Sequence, residues 1–297
     1  MTQHVAPTRA ALFIVSGMAA LGLADNFTLY ITEDGSLWQF HLLRSIFALL
    51  ILAVIAVVGV GTLRPRRFWA VGARSVILGI AMLIYFGCLA ILPVRLVVAG
   101  FFTAPLFVAL IAALFQGKRI TAIHALAIVL GFAGALMVIR PDPGNLDWVA
   151  FLPILAGLFY AIGSVATRAW CEGETTMALT GGYFVVLMTM GAVGSLVFPG
   201  VGSGADGWAA RGWMPLDAAM LFWIAAQAVG TLIGILFIFR GYQIGEASSV
   251  AVFEFSLLIF ASGWAWYLWG QAVTPLALSG MALIILSGAV IAMRRTP

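Results

Sequence analysis

Residues 134–140 read Gly134-Ala135-Leu136-Met137-Val138-Ile139-Arg140, and residues 288–294 read Gly288-Ala289-Val290-Ile291-Ala292-Met293-Arg294. Upstream of the first stands Gly117-Lys118-Arg119-Ile120-Thr121, and upstream of the second Gly270-Gln271-Ala272-Val273-Thr274. The offset is 153 from Gly117 to Gly270 and 154 from Gly134 to Gly288, about half of the 297-residue chain. Each motif closes a long apolar stretch, so the question is how many such stretches lie in each half.

A membrane-spanning helix needs about 20 mostly apolar residues. Ten stretches meet this length: roughly 9–31, 37–58, 72–91, 94–115, 121–140, 148–169, 176–198, 216–240, 247–269 and 274–293. With 63% hydrophobic residues, 9% charged residues and a mean hydropathy of +1.12, the chain could not cover its apolar surface in water. The fold class expected is therefore an all-α membrane protein of ten transmembrane helices. Five spans per half is an odd number, so the second half enters the membrane from the opposite side, and the repeat is inverted. Its halves are expected to be 1–140 and 141–297. Inverted bundles can rock about a shared site, which is the geometry of many secondary transporters.

The connections are short, and none is large enough for a soluble domain. The longest, Pro199 to Pro215, carries Gly200, Gly202, Gly204 and Gly207 and reads as a flexible exposed linker. The first stretch is longer than a signal-peptide core and completes the first repeat, so it is expected to stay in the mature chain.

Basic residues near span ends resist translocation. With the N-terminus inside, Arg9, Arg64, Arg66, Arg67, Arg74, Lys118, Arg119, Arg168, Arg240, Arg294 and Arg295 face the cytoplasm, against Arg95, Arg140 and Arg211 outside. Both termini are thus expected in the cytoplasm. Trp38, Trp148 and Trp269 near outer ends and Trp69 and Trp170 near inner ends suit the two interfaces.

Cys88 lies within a span and Cys171 in a cytoplasmic loop, which argues against a disulfide. His4, His41 and His124 lack the spacing of a metal or haem site, so no cofactor is expected. The net charge of +4 resides in loops, where it sets orientation and does not call for nucleic acid. No His-Glu-x-x-His, Gly-x-Ser-x-Gly or Walker sequence occurs, which disfavours an enzyme or an ATP-driven pump. A selectivity filter of the Thr-Val-Gly-Tyr-Gly type is also missing, which disfavours that channel class.

An ionisable side chain at mid-membrane costs about 2.5–3.5 kcal/mol on insertion scales, so each needs a partner, a wet cavity or a task. Asp25 and Arg44 have matching depths and are expected to form an ion pair, either clamping two helices or meeting substrate. Glu254 has no evident partner among Phe253 and Phe255, which makes it the candidate for proton exchange or substrate contact. Asn26, Gln227, Tyr85 and Tyr160 are further candidates to line a pocket. Together they suit a neutral zwitterion, with a carboxylate for its ammonium and an arginine for its carboxylate. Pro105 and Pro153 predict kinks in the fourth and sixth spans, and Gly230 with Gly234 predicts a close helix crossing.

These residues carry a resemblance across essentially the whole chain. Leu92-Pro93-Val94 through Pro105-Leu106, Gly245-Glu246-Ala247-Ser248-Ser249-Val250-Ala251, Arg44 and the two half-ending motifs resemble the EamA-type branch of the drug/metabolite transporter superfamily. Where that family usually has glutamate after the loop glycine of each half, this chain has Lys118 and Gln271, so no ionic role of those glutamates carries over. The resemblance implies a basket of ten helices around a central cavity in a bacterial-type inner membrane. It further implies export of small metabolites by alternating access. Within the superfamily the chain is similar to exporters of aromatic and other neutral amino acids. The alternatives are a proton-coupled efflux carrier for another substrate class, or a channel. The expected partners are a small-molecule substrate, membrane lipid and protons.

Overall fold

A computed structural model describes residues 7–32, 35–59, 61–89, 91–116, 121–141, 148–198 and 207–293. Among these the regular structure is entirely helical. Ten helices are long and apolar enough to cross a membrane: α1 (Thr8–Thr32), α2 (Leu37–Val57), α3 (Phe68–Cys88), α4 (Val94–Phe115), α5 (Ala122–Ile139), α6 (Trp148–Ala169), α7 (Thr176–Val197), α8 (Ala218–Ile244), α9 (Ala247–Trp269) and α10 (Pro275–Ala292). Lipid offers no hydrogen bonds, so runs of this length must satisfy their backbone internally, and the helix is how they do it. Short polar residues mark the starts. Ser36, Thr121, Thr175, Asp217 and Thr274 each accept a hydrogen bond from a first-turn amide. Gly270, with φ of 63°, ends α9 in the left-handed region, where glycine meets no Cβ penalty. The motif residues 117–120 lie outside the described residues, as do 142–147, 199–206 and 294–297.

The most extensive helix pairs are α1 with α8, α3 with α6, α2 with α7, α5 with α10, α1 with α9 and α4 with α6. This set is unchanged when every helix n of one half is exchanged with n + 5 of the other. The secondary pairs α3 with α7 and α2 with α8 obey the same exchange. Close backbone approach makes the large crossings possible. A Cβ on Gly17 would lie 2.8 Å from the Gly234 carbonyl oxygen, and one on Gly230 would lie 2.9 Å from the Ala24 methyl, so the expected glycine pair is the α1–α8 contact. In the α5–α10 crossing, a Cβ on Gly134 would meet the Gly280 carbonyl oxygen at 2.6 Å.

Among the described residues α4 and α9 are interrupted within the span, while α1 breaks at Thr28 near its far end. In α4 the regular turns stop at Phe101 and resume at Ala104. Pro105 has no amide to give the Phe101 carbonyl, and one residue earlier the Gly100 carbonyl accepts both the Thr103 amide and its hydroxyl. In α9 the residues Val252–Phe255 form a 3₁₀ turn between α-helical pieces. The kink expected at Pro153 is not found. That proline sits in the first turn of the regular part of α6, after a 3₁₀ turn, where a missing amide costs no helical bond.

The face of the bundle where α1 begins is here the near face, and the opposite one the far face. On the far face, residues 207–214 correct the reading of the whole 199–215 connection as exposed. Trp208 is 3% exposed and packs with Ile31, Leu37, Phe40 and Phe86. Its indole donates to the Phe86 carbonyl at 2.9 Å. Ser36 donates to Arg211 O, Gln39 to Met214 O and Trp38 to Ala209 O, at 2.7, 2.8 and 3.0 Å. An indole buries more apolar area than the neighbouring glycines gain in freedom, so the segment docks. On the near face Glu174 accepts the backbone amides of Arg66 and Arg67 at 2.9 and 2.6 Å. Gln243 donates to the Glu174 carbonyl at 2.8 Å, and Arg168 donates to the Gly245 carbonyl.

Candidate functional site

At the centre of the bundle lies a cavity of about 90 Å³ walled by α1–α4 and α6–α9. The two remaining helices, α5 and α10, pack on each other outside it. From α4 the cavity takes Phe101, Phe102, Ala104 and Pro105, the residues of its interruption, and from α9 it takes Glu254 and Leu257. The breaks in α4 and α9 thus both reach the cavity wall, and they touch, the Phe102 and Phe255 rings stacking with centroids 5.8 Å apart. An aromatic row crosses it: Phe101 lies 4.7 Å from Tyr85 and 5.2 Å from Tyr160, between ring centroids.

Six of the seven residues singled out from sequence converge on this cavity: Asp25, Arg44, Tyr85, Tyr160, Gln227 and Glu254. Asn26 does not. Its amide donates to Gly22 O at 2.7 Å and Ala261 O at 3.1 Å, so it ties α1 to α9. One residue on, the helix turn of about 100° points the side chain away from its neighbour's face.

Glu254 sits on the 3₁₀ turn and is 5% exposed. One of its oxygens, Oε1, accepts both the Tyr160 hydroxyl at 2.8 Å and the Tyr242 hydroxyl at 2.9 Å. The carboxyl therefore fastens α9 to α6 and α8 while leaving Oε2 outside both bonds.

Arg44 is 2% exposed. Its Nη2 is 2.9 Å from His41 Nδ1, and the guanidinium carbon lies 4.6 Å from the Phe40 ring centre and 5.4 Å from that of Phe86. Asp25 shares the cavity, but no ion pair within 4.0 Å joins the two, which corrects the expected clamp. Equal depth brought them to one cavity; the histidine one turn earlier and two ring faces hold the guanidinium instead. Its Nε has no hydrogen-bond partner. The same is true of Gln227 Oε1 and Thr231 Oγ1, which stand one turn apart on α8 in the cavity wall. Buried polar groups are normally satisfied. Three unsatisfied ones around a cavity are positions for a ligand's polar atoms.

Sequence reasoning missed Tyr183, Tyr242 and Thr231. The six tyrosines carried a usable signal, since polar-tipped rings inside spans need a partner or a cavity, and four of the six line the cavity or bond its glutamate. Arg74 was counted among cytoplasmic loop residues, yet it is 0% exposed. It donates to Thr167 Oγ1 at 2.8 Å and Leu179 O at 3.2 Å, and its guanidinium lies 3.7 Å from the Phe239 ring centre. One ring behind the cavity wall, it joins α3 to α6, α7 and α8.

Residues 8–140 match the EamA-like transporter family. A riboflavin transporter of Rhizobium johnstonii is 26% identical over 292 residues, covering 95% of this chain and 91% of that one. The pseudopaline exporter of Pseudomonas aeruginosa is 28% identical over 227 residues, covering 75% and 74% of the two chains. A riboflavin transporter of Brucella anthropi is 31% identical over 131 residues, which is 44% of this chain and 46% of that one. A crystal structure of another protein, 18% identical, superposes with a TM-score of 0.76 over 95% of this chain and 96% of that chain, and so shares the ten-helix fold. Residues 8–140 thus carry the match to the EamA-like transporter family, and the likeness to proteins named as transporters runs through both halves of the chain.

Proposed function

We propose that the chain is a secondary transporter that exports small amphiphilic metabolites, amino acids with aromatic or other neutral side chains foremost, by alternating access. The observation that carries this reading is the central cavity itself. Helices of both halves wall it, it is lined by a guanidinium and two carboxyls, and three buried polar atoms in its wall have no hydrogen-bond partner. A zwitterion fits that pattern, its carboxylate at Arg44 and its ammonium at Asp25 or the free oxygen of Glu254. The aromatic row of Tyr85, Phe101 and Tyr160 offers ring faces to an apolar side chain.

In this conformation the cavity is smaller than the roughly 150 Å³ that admits benzene in an apolar protein core, so a metabolite enters only when helices part. The docked 207–214 segment packs over the α2–α3 part of the far face and Glu174 ties two connections at the near face, which suits a central cavity closed at both ends. The exchangeable pairing of the halves supports an inverted repeat with boundaries near 140, and hence a rocking motion. The excess of arginines in the near-face loops supports a cytoplasmic near face, in a bacterial-type inner membrane on this reading. Protons are the proposed coupling ion, with Glu254 as carrier, because its carboxyl alone joins three helices around the cavity.

A second reading has a specific support. The relative that spans 95% of the chain is a riboflavin transporter, and a flat heteroaromatic would stack on the same ring faces and meet Gln227 and Thr231. Purified protein in proteoliposomes, given a panel of amino acids and riboflavin with and without a pH gradient, separates the two. Saturable amino-acid flux enhanced by an opposing proton gradient supports the first; riboflavin flux alone supports the second. Unselective ion conductance refutes both.

A further inference from the structure

A second cavity, of about 400 Å³, opens at the far face between α4, α5, α9 and α10. It shares no residue with the central one, and α9 divides them, with Leu257 facing the centre and Leu258 this outer space. Two guanidiniums line it: Arg95 in the first turn of α4 and Arg140, which ends α5. Gln271 and Thr274 from the α9–α10 connection and Ser262 of α9 complete its polar lining. Among the described residues no acidic one is in its walls, and none makes a hydrogen bond or ion pair with either arginine side chain.

The backbone of Arg140 is left-handed, with φ of 51°, the one described non-glycine residue with positive φ. Glycine is the usual occupant of such a cap. The chain instead keeps a guanidinium at the position, aimed at a space that already holds another. Two like charges facing one cavity repel, and both forks offer donors in the geometry that suits a phosphate or carboxylate. The location at the ends of four spans is the depth of lipid headgroups and also of dissolved ions.

We propose that Arg95 and Arg140 form an anion site, distinct from the central cavity, that takes a phosphate-type group from an anionic lipid headgroup or from solution. An anion held there bridges the start of α4 to the end of α5 beside the α9–α10 connection. It thus bears on the two helices interrupted within their spans without touching the transported solute.

The experiment uses purified full-length protein with two probes. Phosphatidylglycerol retention from mixed phosphatidylcholine micelles is measured by native mass spectrometry, and inorganic phosphate by its protection against thermal unfolding. Two arginines near a surface correspond to about 30-fold in affinity, so Arg95→Gln with Arg140→Gln should weaken binding by that factor. Arg95→Lys with Arg140→Lys keeps the charge and should stay within a few-fold, and it serves as the readout if the glutamine pair does not fold. Arg64→Gln, an exposed arginine at the near face, should change nothing. Retention of phosphatidylglycerol assigns the site to lipid, and protection by phosphate alone assigns it to a soluble anion. Absence of both, persistence in the glutamine pair, or an equal loss in Arg64→Gln overturns the proposal.

Discussion

The two tyrosine hydroxyls on one oxygen of Glu254 make a non-additive pair, and the size of the effect follows from the geometry. Tyr160→Phe removes the 2.8 Å bond and leaves the 2.9 Å bond from Tyr242; Tyr242→Phe does the reverse. Each single change should cost about 1–1.5 kcal/mol, the net worth of one buried hydrogen bond. With both removed, Oε1 of a 5% exposed carboxyl has no donor, which adds a desolvation penalty of about 1–3 kcal/mol. The double variant should therefore lose about 3–6 kcal/mol, about one to three beyond the sum of the singles. At roughly 2 °C per kcal/mol for a chain of this size, differential scanning fluorimetry in detergent should show drops of roughly 2–3 °C for each single and roughly 6–12 °C for the pair. In a Glu254→Gln background the acceptor is neutral, and the same tyrosine changes should be smaller and additive. Strict additivity in the glutamate background, or a single change that already produces the full loss, would show that the hydroxyls do not share that acceptor.

Three other outcomes are expected. Gln227→Leu removes an unpartnered buried carbonyl; the empty protein should unfold at the same temperature or gain about 1 kcal/mol, while equilibrium binding of the transported solute falls tenfold or more. Gly134→Ala places a methyl 2.6 Å from the Gly280 carbonyl oxygen and should destabilise by about 1–3 kcal/mol, whereas Gly72→Ala, with open space around it, should leave thermal unfolding unchanged. Trp208→Ala should cost about 3–5 kcal/mol and speed the reaction of a water-soluble maleimide with Cys88, which is 2% exposed and lies on α3 beside the Phe86 carbonyl that the indole binds; unaltered labelling would mean that Trp208 does not seal that end.

The ten spans were legible because lipid demands about 20 apolar residues whatever the fold, and the expected 247–269 coincides with Ala247–Trp269. Depth was legible too: Asp25, Arg44, Gln227 and Glu254 were placed at the level of one cavity by counting from span ends. What counting omits is azimuth. It paired Asp25 with Arg44 when a histidine on the same helix was nearer, and it put Asn26 in a pocket from which the helix turns it away. Arg74 was counted with the loop charges because the third span was expected to begin at 72, whereas the helix begins at Phe68, and Thr167, Leu179 O and Phe239, all distant in sequence, hold its side chain. The break in α4 had a proline to announce it. That in α9 has neither proline nor glycine among Val252–Phe255, and tertiary bonds to Glu254 accompany it.

The 3₁₀ turn at Val252–Phe255 gives α9 an adjustable length. Rise falls from about 2.0 to 1.5 Å per residue when such a turn relaxes to α geometry, and the angle per residue from about 120° to 100°. Over four residues this contracts the helix by about 2 Å and swivels one end against the other by about 80°. Glu254 sits inside the four, so breaking its tyrosine bonds and winding the segment are a single movement. Whatever competes for that carboxyl, solute or proton, would thereby be geared to a screw motion of the helix that carries it.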